Sequence, residues 1–228
     1  MILAGLGAVA AVAGSLVGPV ATASAESCAD VEVVFARGTN EAPGVGQTGQ
    51  AFIDALTSRL PGKSVDVYAV NYPASYNFGQ AVEGVADAAN QLESTAARCP
   101  ATKMVLGGYS QGAAVAGYTT TSQLPAGYEL PPGVPGPMPA SVAPHIAAVT
   151  LFGTPKDWVV SLADRNAPPI VIGQPYVGKT IELCAAGDPV CAPGGLNRAA
   201  HSSYKDNGMA EQAADFVARQ LGGARTAV

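Results

Sequence analysis

The sequence predicts a single domain of the three-layer α/β class, with a mainly parallel five-stranded sheet covered by helices on both faces. Three observations predict it. Apolar runs rich in Val and Ile alternate with helical patterns along the chain. The runs are near-continuous in apolar character, as strands buried on both faces are. One of them, Met104-Val105-Leu106, enters Gly107-Gly108-Tyr109-Ser110-Gln111-Gly112 and leaves through Ala113-Ala114-Val115-Ala116, the strand-to-helix turn that lifts a serine hydroxyl out of a sheet. With 228 residues, 48% of them hydrophobic and 13% charged, the chain is long enough for one sizeable core and too apolar for a disordered protein.

The elements follow in order. Val31 to Phe35 is the first strand, and Arg37-Gly38-Thr39-Asn40 is the turn that leaves it. A helical pattern over Gly49 to Leu60 leads to a strand over Val65 to Val70, and a second helix over Gly79 to Arg98 leads to the strand Met104 to Leu106. After the serine turn a helix covers Gln111 to Ser122. Pro125 to Pro144 then holds seven prolines in twenty residues, too many for helix or strand, and is expected to be an extended surface excursion. It either borders the site or is an inert loop. Strands over Ile146 to Phe152 and Thr180 to Leu183 and a last helix near Met209 to Leu221 complete the pattern. Ligands of such sheets bind outside the carboxyl ends of the strands, where Ser110 falls.

Residues 1–25 carry no charged side chain and end in Ala23-Ser24-Ala25, a small-x-small site of the kind cleaved from export signals. The expected mature domain is therefore 26–228, secreted or held at the cell wall, with a retained membrane anchor as the alternative for the apolar stretch. Beyond residue 25 no second apolar segment of spanning length exists, so the mature chain is not expected to insert stably into a membrane. A net charge of −5 without a cluster of Lys or Arg offers no footprint for nucleic acid or anionic lipid headgroups. The mature domain is expected to be a monomer. Four cysteines, Cys28, Cys99, Cys184 and Cys191, allow three pairings, and an even number in an exported chain argues for two disulfides. Spacing favours Cys184 with Cys191, which leaves Cys28 with Cys99. With two histidines and no Cys-x-x-Cys pair, no metal site is expected.

A serine hydroxyl attacks efficiently only when a base takes its proton, and that base must be held in one tautomer by a carboxylate. His201 lies in a loop entering the last helix and is the expected base for Ser110. His145 closes the Pro-rich excursion, where a solvated or capping histidine is the ordinary reading. Asp188, in the turn Gly187-Asp188-Pro189-Val190 just past a strand, precedes His201 as the order Ser, Asp, His requires. Its competitors are Glu182 within a strand, Asp206 after the histidine, and Asp157 and Asp164 in a helix-like stretch. Cys184 and Cys191 bracket Asp188, so a bridge between them would stiffen its loop. For the oxyanion, the backbone N–H of Gln111 is one expected donor, and Thr39 offers an N–H and a hydroxyl as the second. Gly-Thr-Asn after a strand is equally ordinary turn chemistry.

Phe35-Ala36-Arg37-Gly38-Thr39, Tyr68-Ala69-Val70-Asn71-Tyr72-Pro73-Ala74, the Ser110 turn, Cys184 to Cys191 around Gly187-Asp188, and His201 followed by Tyr204 stand in this order. In these five motifs the chain, over about residues 28 to 222, resembles the cutinase family, in particular the cutinase-like serine esterases secreted by mycobacteria and related actinobacteria. The resemblance implies a small α/β-hydrolase without a large lid. It implies Ser110 as nucleophile, His201 as base, Asp188 as its partner, Thr39 and Gln111 as oxyanion hole, and the disulfides Cys28 with Cys99 and Cys184 with Cys191. It also implies an ester or lipid substrate and no cofactor. Ala192-Pro193-Gly194-Gly195-Leu196-Asn197-Arg198 departs from the apolar flap that the family's plant-polymer hydrolases carry before the histidine, so the expected substrates are short- to medium-chain acyl esters or lipids rather than cutin. The rival readings are an acyltransferase of similar fold, a non-catalytic secreted binding or antigenic protein, and, because the triad is shared, a peptidase.

Overall fold

A computed structural model describes residues 28–222 apart from Pro125 and Gly133. The expected export signal over residues 1–25 lies outside the described residues. Five strands, β1 (Val31–Ala36), β2 (Val65–Ala69), β3 (Lys103–Tyr109), β4 (Ile146–Phe152) and β5 (Thr180–Leu183), form one sheet in the order β2-β1-β3-β4-β5. Every neighbouring pair is parallel. The helices are α1 (Gly46–Ser58), α2 (Ala81–Arg98), α3 (Gln111–Thr119), α4 (Asp157–Ala163), α5 (Arg198–His201) and α6 (Met209–Gly222).

The period-2 geometry of β1 explains the three layers. Val31, Val33 and Phe35 point to one face and pack with Phe52 and Leu56 of α1 and Ala213 and Val217 of α6. Val34 and Ala36 point to the other face, toward Ala88 and Leu92 of α2 and Val115 and Ala116 of α3. The core on the α1 and α6 side is closed by large side chains: the rings of Phe35, Phe52 and Phe152 lie with centroids 6.2, 6.2 and 5.9 Å apart. Burying each such ring stabilises the fold by about 1.5–3 kcal/mol.

Two expectations are corrected in detail. β2 is an edge strand and is not buried on both faces, since β1 is its single neighbour and Asp66 and Val67 remain exposed. α3 stops at Thr119 rather than Ser122. Its last threonines turn back on the helix, Thr119 Oγ1 donating to Val115 O at 2.8 Å and Thr120 Oγ1 to Gly117 O at 2.7 Å, and the backbone at Gly173 packs against Thr120 O. The described part of the Pro-rich segment runs without helix or strand until a 3₁₀ turn at Ala140–His145, which buries Val142 and Ala143 before β4.

The strand order reverses between β1 and β3, because β1 is followed on one side by β2 while β3, β4 and β5 build outward on the other. Crossovers therefore leave opposite faces at that point and open a crevice at the carboxyl ends of β1 and β3. Thr39 follows β1 and Ser110 follows β3, so topology alone brings the two into one crevice.

Candidate active site

Ser110 has φ 55° and ψ −118°, a strained conformation for a residue with a side chain. The neighbouring glycines make the turn possible. A Cβ on Gly108 would lie 2.0 Å from the carbonyl oxygen of Gly112, and one on Gly112 would lie 2.0 Å from that of Ala36. Gly112 thus admits the first turn of α3 against the end of β1 as well as against its own strand. Ser110 N–H donates to Phe152 O at 2.8 Å, which ties the turn to β4.

From this turn a chain of hydrogen bonds crosses to the last residue of α5, where a loop was expected, and on to the loop after β5. Ser110 Oγ lies 2.8 Å from His201 Nε2, and His201 Nδ1 lies 2.8 Å from Asp188 Oδ2. With Nδ1–H donating to the carboxylate, Nε2 is left to accept the serine proton. Asp188 is fully buried, yet both of its oxygens are satisfied. Val190 N–H donates to Oδ1 at 2.7 Å, and the Tyr204 hydroxyl donates to Oδ2 at 2.5 Å, the same oxygen that faces His201. Ala185 N–H donates to the Tyr204 oxygen at 3.0 Å. Burial, and then the bond to Asp188, push the Tyr204 phenol far above its ordinary pKa, which keeps it a donor. Tyr109 holds the histidine from the other side, its hydroxyl donating to His201 O at 2.6 Å and its ring lying 5.2 Å from the imidazole.

The Thr39 loop is held by two stretches that lie far apart in sequence. Arg37, buried at 6% exposure, donates to Tyr72 O at 2.7 Å and to Glu41 O at 2.9 Å, and the Tyr72 hydroxyl donates back to Arg37 O at 2.5 Å. Glu41 accepts from Gly38 N–H at 2.6 Å and Gln47 N–H at 2.8 Å, while Asn40 N–H donates to Ala74 O at 2.6 Å. Thr39 itself makes no hydrogen bond among the described residues, so its N–H and hydroxyl stand free beside a fixed backbone. The Gln111 N–H is at the first position of α3, where no intrahelical acceptor exists. The Gln111 side chain is buried, its Nε2 donating to Ser75 O at 3.1 Å and its Oε1 unpartnered.

A strained serine turn hydrogen-bonded to a histidine and a buried aspartate thus lies on a five-stranded parallel sheet, and the chain's sequence and fold have counterparts among known proteins. The family model described as Cutinase fits residues 27–221. The chain belongs to the cutinase family. It is 54% identical over 177 residues to a Mycobacterium tuberculosis protein named "Probable carboxylesterase Culp5", covering 78% of this chain and 99% of the relative. It is 44% identical over 194 residues to the protein named Phospholipase Culp4 of the same organism, covering 85% of this chain and 80% of the relative. Among solved structures it is similar to an acetyl xylan esterase, with TM-score 0.69 and 27% identity over 86% of this chain and all of the other. As a cutinase-family member the protein is a serine esterase, a carboxylic-ester hydrolase acting on ester or lipid substrates.

Within this cutinase fold the competing histidine and carboxylates lie outside the hydrogen-bond chain of Ser110, His201 and Asp188. His145 sits at the amino end of β4, the opposite edge of a parallel sheet from Ser110, with Nδ1 3.1 Å from Pro100 O. Glu182 lies on β5 with its side chain exposed, Asp157 opens α4, Asp164 caps its end, and Asp206 N–H bonds to Ser203 O. The disulfides are Cys28–Cys99 and Cys184–Cys191. Among the described residues no group of His, Cys, Asp or Glu is placed to hold a metal ion, and no helix is long and apolar enough to cross a membrane. Sequence reasoning did not find the work of Tyr204, Tyr109, Arg37 or Glu41. A signal existed for Arg37: its motif and that of Tyr72 were separately legible, and their pairing is the scaffold that holds the Thr39 loop.

Proposed function

We propose that Ser110 is the nucleophile of an acyl-enzyme mechanism, with His201 as general base and acid, Asp188 as its orienting partner, and the Thr39 and Gln111 N–H groups, with the Thr39 hydroxyl, as the oxyanion hole. The observation that carries the reading is the unbroken relay of 2.8 Å contacts from Ser110 Oγ through His201 to a buried Asp188. Ser110 Oγ bonds to the ester carbonyl carbon while its proton passes to His201 Nε2, and the negative oxygen that forms turns toward the free donors of Thr39 and Gln111. Collapse breaks the bond to the alkoxy group, which leaves as an alcohol with the proton from His201. Water then attacks the acyl-serine, His201 takes its proton and returns it to Ser110 Oγ, and the carboxylic acid departs. The route draws on side chains and backbone alone.

The substrates we propose are short- to medium-chain acyl esters or lipids, and the working location is outside the cell, a reading supported by two disulfides that persist in oxidising compartments. Ser110→Ala is expected to lower kcat on a p-nitrophenyl acyl ester by about 10⁴-fold or more with an unchanged melting temperature, and to abolish labelling by a fluorophosphonate. Near wild-type turnover by that variant refutes the assignment.

A further inference from the structure

Among the described residues three non-glycine residues have positive φ: Asn40 at 66°, Ala74 at 49° and Ser110 at 55°. Ser110 heads the nucleophile turn and Asn40 follows Thr39, so strained backbone gathers at the site. Ala74 lies on a third segment of chain. Asparagine tolerates the left-handed region through local bonds of its side chain, which alanine lacks, so the surroundings must hold Ala74 there.

Residues 70–75 are laced to the Thr39 loop. Val70 N–H donates to Phe35 O at 3.0 Å, Arg37 Nη2 donates to Tyr72 O at 2.7 Å, and Asn40 N–H donates to Ala74 O at 2.6 Å. The next carbonyl, Ser75 O, accepts from Gln111 Nε2 at 3.1 Å. Among the described residues that is the one hydrogen bond between residues 70–75 and α3. Consecutive carbonyls thus reach the backbone beside Thr39 and the residue whose N–H is the other oxyanion donor. Gln111 is 4% exposed and its Oε1 has no partner. A buried acceptor left unpaired costs stability, and an apolar side chain of similar length would remove that cost together with the Ser75 bond.

We propose that the Gln111 side chain is a positioning group for the oxyanion hole: its amide, through Ser75 O, ties α3 to the segment that holds the Thr39 loop and so sets the separation of the two donors. The inference rests on Thr39 and Gln111 as those donors and adds what keeps them in register. Spacing matters here because donors stabilise an oxyanion most when they already stand in place as its charge develops.

The test uses Gln111→Met and Gln111→Leu, which delete the amide and the unpaired Oε1 together and are therefore expected to keep the fold, checked by melting temperature. Each is measured alone and combined with Thr39→Ala, by kcat and KM on p-nitrophenyl butyrate and by inhibition with phenylboronic acid. Ser110 Oγ adds to boron while its proton passes to His201 Nε2, and the tetrahedral anion that forms carries an oxygen where the oxyanion develops. For either Gln111 variant the expected result is a kcat about tenfold lower, KM within about twofold, and boronate affinity about tenfold weaker. Thr39→Ala is expected to lower kcat and boronate affinity by about tenfold or more alone, and by about threefold or less beside a Gln111 variant, because a displaced hydroxyl has less to lose. Unchanged kcat and boronate affinity in a folded Gln111 variant, or a Thr39→Ala effect that stays full beside it, overturns the proposal and leaves the oxyanion-hole reading standing. Wild-type kcat and boronate affinity in Thr39→Ala alone refute that reading, and the proposal with it.

Discussion

Asp188 Oδ2 is the most heavily used atom of the site, because it accepts from both His201 and Tyr204 while lying in a fully buried carboxylate. A buried charge is tolerated only when its oxygens are saturated with donors. Tyr204 supplies one of them, and its own oxygen is held by Ala185 N–H and lies 3.3 Å from Cys191 Sγ. Tyr204→Phe removes the donor and strands Ala185 N–H in the core. The expected outcome is a kcat about tenfold lower with KM within twofold, since the hydroxyl acts on the orientation of His201 through Asp188 and touches no substrate. Loss of the two buried bonds is expected to cost about 1–3 kcal/mol, read as a lower urea midpoint. A change in KM at constant kcat would place Tyr204 in substrate binding instead.

The elements hold the crevice through close backbone approach, and the junction of β1, β3 and α3 is the most constrained. Gly112→Ala sets a methyl 2.0 Å from Ala36 O, an atom that moves only if β1 moves. A loss of about 3 kcal/mol or more is expected, seen as a depressed melting temperature or as insoluble protein, and retention of wild-type stability would show that α3 can slide. This junction was legible in the sequence because small residues around a serine have no other use at a strand-to-helix turn, and the alternation of apolar runs with helical patterns was enough to place every strand. The place of Asp188 was legible as well, after a strand and between two cysteines, and its carboxylate lies 2.8 Å from His201 Nδ1. The partners of the site were not. Tyr204, Tyr109 and Glu41 act through contacts across 16, 92 and 3 positions, and neither a loop residue such as Tyr204 or Glu41 nor the last residue of β3 carries a periodicity that marks such a contact. The exposed character of β2 was hidden for a similar reason, because strand order is fixed by packing and not by local pattern.

Across the whole molecule the two disulfides stand at opposite ends of the parallel sheet, and this separates stability from chemistry. Cys28 precedes β1 and Cys99 follows α2 just before β3, so their bridge closes the amino-terminal edge, where Thr102 Oγ1 also donates to Ala29 O at 2.6 Å. Cys184 follows β5, and its bridge to Cys191 encloses Asp188 at the carboxyl-terminal edge, with Cys191 buried against the Tyr204 hydroxyl. Sequence separations of 71 and 7 make the first bridge the larger constraint on the unfolded chain, about 4 kcal/mol against about 2.5 kcal/mol on the chain-entropy model. Replacing Cys28 and Cys99 by Ser is therefore expected to lower the melting temperature by about 10 °C and leave kcat/KM at 25 °C within twofold. Replacing Cys184 and Cys191 by Ala is expected to lower the melting temperature less and kcat tenfold or more, because the Asp188 loop and the packing beneath Tyr204 are released together. Melting curves and steady-state kinetics on the two double variants decide the matter. Equal loss of activity and stability in both would mean that the two ends of the sheet are held as one unit and that the small disulfide has no separate part in positioning Asp188.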